Sequence, residues 1–200
     1  MEFQTNQRKE FIVLTAIDLI HENGIQGIIT KEIAKRIGIS ESLIFKVFPK
    51  KKDLVLAVID QFSRYDNDMF LTAQSKKDDS LESILYFINK YTKYYENYPA
   101  ITAIYQIIDI HIGFPEIEAR ANEITLSRLE FFQQLIVRGQ RQNKINPSIE
   151  PDMAADILYM IFKGMCIKWR LQDFNFSLSD KTNYAIDLFL QSIASNRSLT

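Results

Sequence analysis

Residues Gly24–Lys52 read GIQGIITKEIAKRIGISESLIFKVFPKKK, and the parsing of this stretch decides the fold. Its apolar residues fall into two short helical sets on either side of Gly38. Ile33-Ala34 supplies an apolar anchor beside a small residue, so a second helix can approach closely. Gly38 permits the positive φ of a tight turn. Ile39 is predicted to plug that turn into the core, and Ser40 is a good N-cap for the helix that follows. Leu43, Ile44 and Val47 are the expected inner positions of that helix, and Glu41, Ser42, Phe45 and Lys46 the expected outer ones. A short helix with a polar outer face, held by a second helix, has the shape that enters a DNA major groove.

Charge placement points the same way. Between Thr30 and Lys52 stand seven basic residues (Lys31, Lys35, Arg36, Lys46, Lys50, Lys51 and Lys52) and two acidic ones (Glu32 and Glu41), a local net of +5. Cationic side chains and helix N-termini supply most sequence-independent affinity for DNA. The whole chain hides this, because 24 Lys+Arg nearly cancel 25 Asp+Glu to give −1. Residues 1–53 carry +2 and the rest −3, so near-neutrality averages a basic segment with a mildly acidic body.

Outward from the motif the spacing stays helical. Val13, Leu14, Ile17 and Ile20 share a face ahead of Gly24. Leu54, Val58, Phe62 and Tyr65 open a longer helix predicted to run to Phe70. Ser75–Ser80 reads as a linker, with Ser80 or Asp79 as the next cap. An aromatic stripe over Leu81–Tyr95 follows, then Ile101–Ile112, Glu118–Gln142, Met153–Leu171 and Ser179–Ser195. The expectation is an all-α chain of about nine helices: a small N-terminal three-helix unit and a larger helical body. Six Gly and five Pro in 200 residues are too few for the turns of an all-β sandwich or barrel.

On Gly24, Thr30-x-x-Ile33-Ala34, Gly38-Ile39-Ser40, Phe45-x-x-Phe48 and Lys51-x-x-Leu54, the chain resembles TetR/AcrR-type transcriptional regulators. The close match ends near residue 55; beyond it the likeness is in length, helicity and Gly164-Met165 before Trp169. The resemblance implies a DNA-binding domain over 1–53, with the helix-turn-helix at 29–48, and a ligand-binding and dimerisation domain over 54–200. It implies candidate DNA-binding residues Thr30, Lys31, Ser40, Ser42, Phe45, Lys46 and Lys51, the last as a phosphate contact. Two positions depart from the family pattern. Ile29 stands where Thr or Ser is usual, and Phe45 where Tyr is usual, so two hydroxyls are missing.

The expected function is a sequence-specific, ligand-responsive repressor. It would bind a palindromic operator in double-stranded DNA as a homodimer through the last two helices. A small apolar or aromatic ligand is expected in the body, with Tyr91, Tyr105, Phe132 and Trp169 as candidate contacts. Two other classes stay open: a DNA-binding architectural or partner-binding protein without an inducer, and an all-helical enzyme or carrier. No catalytic constellation, cofactor motif or metal set is evident. Asp18-x-x-His21 reads as a surface polar pair, His111 as a hydrogen-bonder at a helix end, and Cys166 as a buried apolar residue that leaves no internal disulfide. The longest uncharged run, Asn97–Ile108, has 12 residues, short of a membrane span, and a cytoplasmic location is expected.

Overall fold

The computed structural model describes residues 2–75, 79–108 and 114–195, with side chains from Asn6 onward except Gln106. His111 lies outside the described residues. Among these residues every regular element is helical, and Ile145 and Ala194 form an isolated β-bridge.

Helix α1 (Glu2–Asn23) buries Ile12, Val13, Ala16, Ile17, Leu19 and Ile20. It stops at Gly24, whose N–H still reaches Ile20 O at 2.8 Å while its φ of 71° turns the chain out of the helix. Here glycine avoids the strain an L-residue would meet. A 3₁₀ turn (Ile25–Gly27) leads to α2 (Thr30–Ile37), which ends at Gly38 with φ 69° and ψ 35°. Then come α3 (Glu41–Val47) and α4 (Lys51–Phe62), the latter started by Asp53 Oδ2 accepting the Lys50 N–H at 2.9 Å.

The helix expected over 54–70 is in fact two. α4 ends at Phe62, and α5 (Asp66–Ser75) starts after a turn at Ser63–Tyr65. No Gly or Pro marks the break. Ser63 Oγ lies 3.4 Å from both Ile59 O and Asp60 O, a local competitor for helix carbonyls. Asp66 and Asp68 fall in the first turn of α5, where the helix dipole favours carboxylates.

The remaining elements are α6 (Ser80–Asn97), a 3₁₀ segment (Pro99–Ile104), the single turn α7 (Tyr105–Ile108), α8 (Pro115–Arg141), α9 (Pro151–Leu171) and α10 (Leu178–Ser192). The apolar segment expected over 101–112 is thus 3₁₀ and one α turn as far as it is described. Asp79, rather than Ser80, caps α6: its Oδ1 accepts from the N–H of Leu81 at 2.9 Å and of Glu82 at 3.3 Å. Ser177 Oγ caps α10 through the Asp180 N–H at 3.1 Å.

The chain divides into two compact units, Met1–Arg64 with Tyr98–Glu123, and Tyr65–Asn97 with Ile124–Thr200. In the first, α1 packs against α2, α4 and the 99–104 segment, and Phe62 meets Tyr105 edge-on at 4.9 Å. In the second, α6 packs against α5 and α10, and α10 against α9. Its core is aromatic. Phe87 lies within 4.8–5.8 Å of Phe70, Tyr91, Phe131 and Phe132, and Tyr95 stacks on Phe162 at 5.9 Å. Such ring pairs add roughly 0.5–1.5 kcal/mol each beyond the area they bury.

Candidate nucleic-acid interface

The helix-turn-helix is held from beneath by Ile33 and Ile44, both fully buried, with Ala34 and Phe48 beside them. Leu43 and Val47 are half-buried, as an inner face requires. Ser42, Phe45 and Lys46 point to solvent, Phe45 with 47% of its surface exposed. A ring left so open on a seven-residue helix is free to meet an apolar partner such as a thymine methyl.

Not all seven basic residues of the segment are available to a ligand. Arg36 forms a fork on Glu22 of α1, with Nη1 to Oε1 at 2.7 Å and Nη2 to Oε2 at 2.6 Å, and reaches Glu32 at 3.4 Å. The Glu22 bond keeps the guanidinium above its ordinary pKa and, in return, holds the Glu22 carboxyl below its own. Lys52 is paired with Glu116. Lys31, Lys35, Lys46, Lys50 and Lys51 remain exposed, and none of them joins an ion pair among the described residues. The structure therefore sorts the basic run into two clamps and five solvent-facing cations.

The polar residues of the motif are arranged differently from the sequence expectation. Ser40 occupies the N-cap position of α3 in an extended conformation, but its side chain makes no cap bond. Its Oγ instead lies 2.9 Å from Ser42 Oγ. Ile29 precedes α2 with 55% exposure and likewise offers no cap. Thr30 Oγ1 donates to Glu41 Oε1 at 2.5 Å. Glu41, expected to face outward, is half-buried by this bond.

The four candidate ligand contacts are all buried. Tyr91 and Phe132 share Phe87 as a neighbour, at 4.8 and 5.2 Å. Trp169 donates its Nε1–H to Phe176 O at 2.8 Å and packs edge-on against Phe174. Tyr105 belongs to the other compact unit. Cys166 is fully buried, and burial pushes its thiol well above the ordinary range, so the apolar reading of it holds. Asp18 is half-buried, 3.4 Å from Tyr98 OH, and burial raises its pKa.

One polar cluster escaped the sequence reading. Arg128 is completely enclosed, and its Nε and Nη2 each reach an Asp66 carboxylate oxygen at 2.9 Å. Tyr91 OH donates to the same carboxylate, and the guanidinium lies over the Tyr91 ring at 4.9 Å. Burial pushes the Tyr91 phenol pKa upward. A signal was present: Arg128 interrupts the apolar stripe Ile124, Phe131, Phe132 and Leu135 at core spacing.

A helix-turn-helix formed by α2 and α3, with α1 packed against α2, is the arrangement found in the class of helix-turn-helix DNA-binding proteins. Residues 12–58 match the model for "Bacterial regulatory proteins, tetR family". The HTH-type transcriptional regulator SAR2658 of Staphylococcus aureus is 23% identical over 98% of this chain and 100% of that protein. The nucleoid occlusion factor SlmA of Aliivibrio fischeri is 24% identical over 89% of this chain and 91% of that protein. The regulator FadR from Bacillus subtilis, solved in complex with stearoyl-CoA, superposes with a TM-score of 0.80 at 18% identity, over 92% of this chain and 98% of that one. The chain thus carries a TetR-type DNA-binding match over residues 12–58, and along most of its length it is similar to transcriptional regulators of that fold.

Proposed function

We propose that this regulator is a homodimeric, ligand-responsive repressor of a palindromic operator. Residues 1–53 form its DNA-binding part, and 54–200 its ligand-binding and dimerisation part. Ser42, Phe45 and Lys46 read the groove, and Lys31 and Lys51 hold phosphates. The observation that carries DNA recognition is the outward display of Ser42, Phe45 and Lys46 on a helix flanked by exposed lysines. Selection of bound fragments from the source genome tests it. The expected yield is a two-fold site with half-sites about 34–36 Å apart or a multiple of that. Absence of any enriched site at low salt would overturn it.

Dimerisation through the last two helices is supported by α9, which has two apolar faces. One packs inside through Ala155, Leu158, Tyr159, Phe162, Cys166 and Trp169. The other leaves Met153, Ile157, Met160, Ile167 and Leu171 exposed at heptad-like spacing, and α10 adds Tyr184 and Leu188. A second copy covering this stripe makes a four-helix contact. Met160→Glu is expected to convert dimer to folded monomer in sedimentation equilibrium and to weaken operator binding at least tenfold. An unchanged dimer would place the contact elsewhere.

The ligand part rests on the family and on the stearoyl-CoA complex of the Bacillus subtilis neighbour, which suggests a largely apolar molecule. DNA and ligand must then weaken each other by one factor. Equal ligand affinity for free and operator-bound protein would sink a given inducer. A second reading has partial support in the likeness to the nucleoid occlusion factor SlmA and in the packed rings of the body: a DNA-binding architectural or partner-binding protein without an inducer. Action in the cytoplasm, and the lack of an enzymatic role, are inferred from the same relatives. Among the described residues no helix is long and apolar enough to cross a membrane.

A further inference from the structure

Helix α3 has only seven residues, too few to persist without outside support. Its C-terminal half is anchored by Ile44 and by Phe48 just beyond it, both buried. Its N-terminal half has no fully buried side chain, Leu43 being only half-buried. Ser40 gives it no side-chain cap, and Ser42 is exposed. Among the described residues, the side-chain hydrogen bond that ties α3 to another helix is the one from Thr30 Oγ1 to Glu41 Oε1. It links the first residue of α2 to the first residue of α3. The tie has an electrostatic cost, because Glu41 sets a carboxylate within a segment of net charge +5 that must approach phosphates. A glutamine would accept the same hydrogen bond without that charge.

We infer that Glu41 is a positioning residue for sequence discrimination: through Thr30 it fixes the entry angle of α3, while its charge lowers affinity for DNA of any sequence. The inference rests on the DNA-binding reading of this face. Pivoting about Ile44 and Phe48 displaces Ser42 the most and Lys46 the least, so the tie governs base contacts at the N-terminal end of the helix. Loss of the tie and loss of the charge then act in opposite directions on two measurable quantities.

The test compares the operator duplex recovered by selection with a scrambled duplex of equal length, each titrated at several salt concentrations. Glu41→Ala is expected to bind the scrambled duplex about twofold more tightly, as removal of one like charge some 8 Å from a phosphate in water predicts. Its operator-to-scrambled ratio is expected to fall about fivefold or more, the scale of one lost base-pair preference. Glu41→Gln keeps the acceptor, so it gains the same non-specific affinity and retains the ratio. Thr30→Val lowers the ratio without the non-specific gain, and combining it with Glu41→Ala lowers the ratio no further. Circular dichroism confirms that each variant is folded. A wild-type ratio in Glu41→Ala, or an equal fall in Glu41→Gln and Glu41→Ala, would overturn the inference. If the wild type binds neither duplex, the DNA-binding reading itself fails, which is a separate outcome.

Discussion

Two arginines show how differently this chain uses the same charge. Arg36 lies on the surface of the helix-turn-helix, forked onto Glu22. Arg128 lies inside the body, enclosed by Asp66 and Tyr91. The pairs have similar bond lengths, yet water decides their worth. An exposed pair exchanges its partner for solvent at little cost, whereas a buried one that loses its partner strands a charge in a medium that cannot solvate it. Surface geometry in the head is therefore tunable, and polar geometry in the body is fixed.

The largest expected effect breaks the buried side. Arg128→Ala should cost about 3–5 kcal/mol in urea unfolding, because Asp66 is left enclosed without its cation. The triple variant Arg128→Met, Asp66→Leu, Tyr91→Phe should recover most of that loss. No recovery would mean that the cluster fixes the packing around it as well as balancing charge.

Asp79 lies between the extremes, partly exposed, capping α6 and paired with Lys144. Burial opposes its ionisation, but the Lys144 ammonium and the N–H groups of Glu82 and Leu81 outweigh it and hold the carboxyl below its usual range. A depressed carboxylate stabilises the fold above its unfolded pKa of about 3.9 and loses that contribution as pH falls through the folded value. Asp79→Ala should therefore cost about 1 kcal/mol at pH 7. The gap from wild type should close below about pH 4, and a gap constant from pH 7 to pH 3 would deny the charge any part.

The smallest effect lies on the exposed side. Lys51→Ala should leave stability unchanged and reduce the salt slope of DNA binding by about one. Arg36→Ala should leave that slope nearly intact, since its charge is already matched by Glu22 and Glu32. Equal slopes for the two variants would erase the distinction between clamp and phosphate contact.

What the sequence reveals follows the range of the interactions. The helix-turn-helix is legible because its determinants are local: Gly38 at positive φ, the Ile33-Ala34 anchor and the alternation of inner and outer residues all lie within one short segment. Asp66 and Arg128 are 62 positions apart, and nothing in either neighbourhood selects the other. The turn at Ser63–Tyr65 was hidden for a related reason. Phe62 and Asp66 keep helical spacing, and the arginine that holds Asp66 lies 62 positions away. The tie from Thr30 to Glu41 lay between the two cases: both residues stood in the motif, but their pairing depends on the crossing of α2 and α3.

The exposed stripe on α9 bears on supply as well as shape. On the dimer reading, the stability of each protomer is inseparable from protein concentration. Where dimers are the minority species, their number rises as the square of the monomer count. Operator occupancy then follows that square, so halving the protomer concentration would remove about three quarters of the binding-competent molecules. A row of five side chains, Met153, Ile157, Met160, Ile167 and Leu171, would thereby make the regulator a gauge of its own abundance.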